Sequence, residues 1–239
     1  MCGIVSYIGK KDPIPILLKG LRRLEYRGYD SAGVALLNSE RLQSIKKVGK
    51  VSALESLIDD SPISGYCGIA HTRWATHGEP NDVNAHPHID QTKKIALVHN
   101  GIIENYDSIK EVLKKRGVSF TSSTDSEVLV QLISELYYNN NEKLSFEDAV
   151  RAALQEVIGA YGIVVICEDE PGKIIAARMG SPLVLGVGDG EFLIASDASP
   201  IIEYTRNVIY LDDNELVLIE DKNFSISKID SKKIINKTL

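Results

Sequence analysis

The chain opens Met1-Cys2-Gly3-Ile4-Val5-Ser6-Tyr7-Ile8, and the reading of this stretch decides the fold. Ile4 to Ile8 is a short, largely apolar run that predicts a buried first strand, and Cys2 stands just ahead of it. With Met1 cut away, Cys2 becomes the N-terminus and carries a thiol and a free α-amine on one residue. At a reference pKa of about 8.5, only about 3% of a thiol is thiolate at pH 7. An α-amine titrating at about 7.8 is already partly neutral there. It can take the thiol proton directly or through one water, with no histidine partner. The competing reading is a small residue that leads the strand by accident of position.

Outward from this strand, β-branched runs alternate with amphipathic helices. Asp12-Pro13 predicts an N-cap and first helical position, with Ile16, Leu17, Leu21 and Leu24 on one face. Strands are predicted at 32–37, 42–48, 66–71 and 94–98, and a helix at 105–116 that Gly117 ends. Thr124-Asp125-Ser126-Glu127 has capping-box spacing ahead of Val128, Leu132, Ile133 and Leu136, and Ser145 opens a further helix. From residue 161 the pattern is strand after strand to 229, with turn chemistry at Pro171-Gly172 and Asp189-Gly190. Strand-rich ends around a helical middle predict an α+β layered domain. Asp230 to Leu239, rich in Lys and Asn, reads as a linker or tail.

Composition excludes several classes. The chain has 239 residues, 44% of them apolar, enough for one large core or two small ones. Its 27 basic and 33 acidic residues give a net charge of −6 without a basic stripe, which argues against nucleic acid as a partner. Three scattered cysteines with no C-x-x-C argue for a reducing compartment and against a disulfide framework or a zinc–thiolate site. No run approaches the roughly 20 apolar residues of a membrane span, and no signal peptide is visible. The expectation is a cytoplasmic protein with no membrane partner.

Three polar segments do not suit plain packing. His71-Thr72-Arg73-Trp74-Ala75-Thr76-His77-Gly78 follows a strand and offers, in Arg73, a planar fork for a carboxylate. The alternative is a surface loop that Trp74 anchors to the core. His99-Asn100-Gly101 also reads as lying just past a strand. Asn-Gly is by itself a hairpin turn, yet a side-chain amide beside an unhindered glycine N–H also suits a developing oxyanion. Thr124-Asp125 is a helix cap whose Asp125 can also face a ligand ammonium. His77, His86 and His88 lack the spacing of helical metal ligands, and Pro87 interrupts them, so no metal site is expected. Cys67 and Cys167 sit in apolar strands and read as inert core thiols.

Taken in order, Met1-Cys2-Gly3-Ile4-Val5, Glu25-Tyr26-Arg27-Gly28-Tyr29-Asp30-Ser31-Ala32-Gly33, Thr72 to Gly78, His99 to Asn105 and Thr124 to Glu127 resemble the class II glutamine amidotransferases over essentially the whole chain. The resemblance implies the four-layer αββα fold of N-terminal nucleophile hydrolases. It also implies hydrolysis of L-glutamine to glutamate and ammonia through a Cys2 thioester, with no cofactor. Cys2 matches the nucleophile and its α-amine the general base; Asn100 and Gly101 match the oxyanion hole. Arg73, assisted by Thr76 and His77, matches the clamp on the glutamine α-carboxylate, and Asp125 the acceptor of its ammonium. Trp74 matches part of a lid, and Arg27-Gly28 a support beside the nucleophile.

The Thr72–Gly78 segment fits the branch feeding amino-sugar synthesis better than the phosphoribosyl-diphosphate or asparagine branches. Members of that branch continue into two sugar isomerase lobes that bind fructose 6-phosphate. The expected organisation is therefore a glutaminase domain over 2–220, then a final strand and the start of a linker over 221–239. Fructose 6-phosphate would be reached only through the isomerase region. A non-catalytic glutamine-sensing domain is the rival of another class.

Overall fold

In a computed structural model, residues 2–74, 79–139, 143–220 and 222–237 are described. The elements run β1 (Gly3–Ile8), α1 (Pro13–Leu24), β2 (Ser31–Leu37), β3 (Leu42–Val48), α2 (Val51–Asp60), β4 (Cys67–Arg73), β5 (His88–Ile89) and β6 (Ile95–Ile103). They continue α3 (Tyr106–Lys115), α4 (Asp125–Tyr138), α5 (Phe146–Gln155), β7 (Gly159–Cys167), β8 (Lys173–Met179), β9 (Val184–Val187) and β10 (Phe192–Ala195). The last are β11 (Val208–Tyr210), β12 (Glu215–Glu220) and β13 (Asn223–Lys228).

Two sheets form. One has the order β11-β9-β10-β1-β4-β2-β3 and the other β13-β12-β8-β7-β6-β5, and neighbouring strands pair antiparallel. The period-2 alternation of side chains explains how they stack. From β1, Ile4 and Ile8 turn inward and meet Ala96, Val98, Val164 and Ile166 of the second sheet, forming the core between the sheets. Val5 and Tyr7 turn outward onto Leu17 and Leu21 of α1, in a layer that also holds Leu54 and Ile58 of α2. On the far side Leu97, Ile163 and Val165 pack against Leu129 and Ile133 of α4 and Val150 of α5. Helices on the outer face of each sheet make the expected four-layer αββα arrangement. No helix among the described residues is long and apolar enough to cross a membrane.

Helix starts follow the predicted caps. Asp12 accepts from the Ile14 N–H (3.0 Å) and Ser145 from the Asp148 N–H (3.1 Å). Thr124 Oγ1 accepts from the Glu127 N–H at 3.2 Å, but the reciprocal half of the capping box is replaced. The Thr124 N–H goes to Ser122 Oγ, while the buried Glu127 carboxylate takes the N–H groups of Thr121 (2.8 Å) and Ser122 (2.6 Å). Helix α2 has no counterpart in the sequence reading, although Val51, Leu54 and Ile58 are its buried face.

One tie holds the segment that leads into β5. Lys46 Nζ, on β3, donates to the carbonyls of Val83 (3.0 Å), Ala85 (2.8 Å) and Pro87 (3.4 Å). Burial lowers its pKa to about 8, which leaves it mainly an ammonium at neutral pH. Lys46→Met is expected to cost about 1–3 kcal/mol, because it strands these acceptors, and to lower Tm by several degrees in calorimetry. An unchanged Tm would mean that water serves the three carbonyls equally well.

Candidate active site

The site is assembled where the two sheets face each other at one end. In the first sheet Gly3 pairs with Thr72 and Ile4 with His71, while Ser31 of β2 pairs with Arg73. Cys2 is thereby set beside the last residues of β4. The Trp74 N–H donates to Cys2 Sγ at 3.2 Å, and the thiol lies 3.5 Å from the Trp74 carbonyl. Burial pushes the Cys2 thiol above its ordinary pKa, with the Trp74 N–H and Arg73 pulling the other way. Burial therefore works against a resting thiolate in the chain that carries Met1.

The second sheet supplies the facing donors. His99-Asn100-Gly101 is not a turn beyond a strand: β6 runs on to Ile103, with Asn100 opposite Gly162 and Gly101 opposite Tyr161 of β7. The reason lies at Gly101, which takes φ +135° within the strand. A Cβ there would fall 2.0 Å from the Ala160 carbonyl oxygen, so only glycine permits this ladder. Asn100, 8% exposed, donates its Nδ2 to the Cys2 carbonyl at 3.0 Å. The donor amide and the nucleophilic residue are thus in direct contact.

Arg73 and Asp125 are buried at 4% and 6% exposure and line the same cleft as Cys2, Trp74, His86, His99 and Gly101. Asp125 sits in the first turn of α4, where the helix dipole favours an anion. Its Oδ2 accepts from the Ile103 N–H and its Oδ1 from the Ser126 N–H, both at 2.9 Å. The cleft thus has a guanidinium and a carboxylate on its walls, the two charges that a free amino acid presents in reverse. His99 Nδ1 lies 2.9 Å from Ser126 Oγ, and burial lowers the His99 pKa.

Trp74 is 47% exposed and meets Tyr29 edge-on at 5.4 Å, so it does not anchor its loop to the core. Arg27 joins Cys2, Asn100 and Gly101 around a second cavity of about 240 Å³, and its Nη1 reaches the Ser196 carbonyl at 3.4 Å. At Gly28 a Cβ would meet the Arg73 carbonyl carbon at 2.9 Å, so glycine lets this turn lie against the backbone next to Cys2. Thr76 and His77 lie outside the described residues, as does Met1. The structure therefore brings together Cys2, Arg27, Gly28, Arg73, Trp74, Asn100, Gly101 and Asp125. The sequence reading began polar segments at His71 and His99 and set His86 aside as a metal ligand, but gave none of the three a specific partner. The available signal for His71 was a ring at the point where the apolar run of β4 gives way to Thr72 and Arg73.

Known proteins resemble this chain in sequence and in fold. The profile of a family described as glutamine amidotransferase domain matches residues 71–203. A Bacteroides thetaiotaomicron protein named glutamine–fructose-6-phosphate aminotransferase (isomerizing) is 58% identical over 220 residues, covering 92% of this chain and 36% of its own. A Chlorobaculum tepidum protein of the same name is 53% identical over 234 residues, covering 97% of this chain and 38% of its own. The chain thus spans well under half the length of these relatives. Among solved structures, glutamine phosphoribosylpyrophosphate amidotransferase from B. subtilis aligns with a TM-score of 0.83 at 25% identity, over 96% of this chain and 50% of that one.

Proposed function

The chain belongs to the glutamine amidotransferase family, and from that premise we propose that it hydrolyses L-glutamine to glutamate and ammonia at Cys2. The observation that carries this reading is the contact of the Asn100 side-chain amide with Cys2, at 3.0 Å, in a cleft walled by Arg73 and Asp125. Arg73 grips the α-carboxylate, with Thr76 and His77 assisting, and Asp125 receives the ammonium. This fixes the side-chain carboxamide over Cys2 Sγ beneath Trp74. The α-amine of Cys2, freed by removal of Met1, takes the thiol proton as sulfur attacks the amide carbon. Asn100 and the Gly101 N–H stabilise the oxyanion. The amine returns the proton to the leaving nitrogen, ammonia departs, and water cleaves the γ-glutamyl thioester to restore the thiol. Nucleophile, base and oxyanion donors all belong to the chain, so the chemistry calls on no metal or cofactor.

Within a longer enzyme the ammonia would pass to fructose 6-phosphate, giving glucosamine 6-phosphate. Residues 2–220 form the glutaminase domain, and 221–239 carry its final strand, β13, and the start of a linker toward the isomerase part. The 58% and 53% identities to fructose-6-phosphate aminotransferases, against 25% to the phosphoribosylpyrophosphate enzyme, favour this acceptor. We place the reaction in the cytoplasm, in keeping with three free cysteines among the described residues.

The test is release of ammonia and glutamate from glutamine in equal amounts, with Arg73→Lys as the specific probe. Lysine keeps the charge and loses the bidentate fork, so KM for glutamine should rise at least tenfold. Glutamine derivatives lacking the α-carboxylate should be poor substrates and little affected by the change. An unaltered kcat/KM for glutamine would move the clamp elsewhere.

A further inference from the structure

We propose that His71 is a positioning residue for the oxyanion donor: its Nε2–H holds the Asn100 carboxamide in the one orientation that points the amide nitrogen at Cys2. His71 stands in β4, 1% exposed, opposite Ile4 of β1 and Gly33 of β2. Its Nε2 lies 2.9 Å from Asn100 Oδ1 and 3.1 Å from the His99 carbonyl oxygen. Both neighbours are acceptors, so Nε2 must carry the proton. Nδ1 is then the bare nitrogen, and it has no hydrogen-bond partner among the described residues. Burial pushes the His71 pKa down to about 3, so the ring is neutral and keeps a single N–H throughout the working range. The His86 ring lies against it, centroids 4.2 Å apart.

A carboxamide has nearly the same shape after a flip that exchanges its oxygen and nitrogen, so packing alone cannot choose. Here the two ends choose together. In the observed orientation Oδ1 accepts from His71, and Nδ2 donates to the Cys2 carbonyl at 3.0 Å. After a flip, the amide N–H would face the His71 N–H, and Oδ1 would face the Cys2 carbonyl oxygen. One N–H of the NH2 group engages Cys2 and the other is left for the oxyanion. Donation into Oδ1 also polarises the amide and strengthens its N–H groups as donors. His71 thus acts on the reacting atoms only through Asn100.

This inference rests on the glutaminase reading, and the experiment separates the two. Glutamine hydrolysis is measured in wild type, His71→Leu, His71→Gln, Asn100→Ala and the double variant His71→Leu/Asn100→Ala. His71→Leu should lower kcat roughly 10–100-fold, as misplacing a catalytic group does, with KM within about threefold of wild type on the uniform-binding argument. His71→Gln, whose amide N–H reaches where Nε2–H stood, should recover most of that loss. In the Asn100→Ala background the Leu change should cost little more, since the group it orients is gone. If His71→Leu does not fold, His71→Asn, too short to reach Asn100, replaces it in the cycle. Independently of activity, ring ¹⁵N shifts should report the Nε2–H tautomer of His71. Equal kcat for the Leu and Gln variants, additive losses in the cycle, or an Nδ1–H tautomer would each overturn the positioning role. No ammonia from wild type would instead remove the glutaminase reading itself.

Discussion

Protein that retains Met1, or whose Cys2 amine is acetylated, should fold normally and hydrolyse glutamine about 10²–10⁴-fold more slowly than processed protein, the usual contribution of a positioned general base. In the chain that still carries Met1, burial raises the Cys2 thiol pKa and so favours the protonated sulfur. Among the described residues the thiol hydrogen-bonds to the Trp74 backbone, which supplies no base. The base we propose is the α-amine of Cys2 itself, and an amide or acetamide nitrogen cannot serve in its place. The sign of the pH dependence follows. The amine works only when neutral, so kcat/KM should rise with pH through the ordinary α-amine range, with a reference pKa of about 7.8, and flatten above it. Intact mass spectrometry defines the N-terminus of each preparation, and steady-state kinetics on the same sample reads the effect. Full activity in a sample shown to keep Met1 would sink the amine as base. Cys2→Ala should remove hydrolysis altogether while leaving the fold, since its thiol is only partly buried at the sheet end.

The second large effect is expected at the oxyanion donors. Asn100→Ala should lower kcat about 10²–10³-fold, or roughly 3–4 kcal/mol of transition-state stabilisation, with far less change in glutamine binding. The amide is needed where negative charge develops, and the Arg73 and Asp125 walls proposed to hold the amino-acid end stay in place. Gly101→Ala should be worse in a different way. Its Cβ would strike the Ala160 backbone oxygen, so β6 must shift, and both activity and Tm should fall. An electrophilic glutamine analogue should label Cys2 and spare Cys67 and Cys167. Both of these are fully buried, and burial raises the Cys167 pKa to about 11 and that of Cys67 further. Peptide mapping reads this directly. Labelling spread over three thiols, with normal turnover in Asn100→Ala, would place the site elsewhere.

Most of the layered fold was legible because its rules are local. A short, largely apolar run marks a strand buried on both faces, which is why β1 could be read from Ile4 to Ile8. Caps such as Asp12-Pro13 and Ser145 satisfy backbone groups within three residues, so no distant partner is needed to recognise them. The chemical types at the site were legible for the same reason. A cysteine at position 2, an arginine fork and an Asn-Gly pair keep their chemistry in any surroundings.

What the sequence could not decide depends on what lies opposite. Asn100-Gly101 has the local signature of a turn, and only pairing with Gly162 and Tyr161 on β7 extends it as strand. Trp74 has the character of a core anchor, yet the edge contact with Tyr29 leaves it half in solvent. His71 became meaningful only when the sheets met. A histidine in an apolar strand specifies neither its tautomer nor its partner, whereas two acceptors across the inter-sheet gap specify both. The sequence by itself determined which groups this protein carries and the layers that bear them. The tertiary structure alone decided their mutual orientation, because hydrogen-bond direction is a property of pairs that lie far apart in the chain.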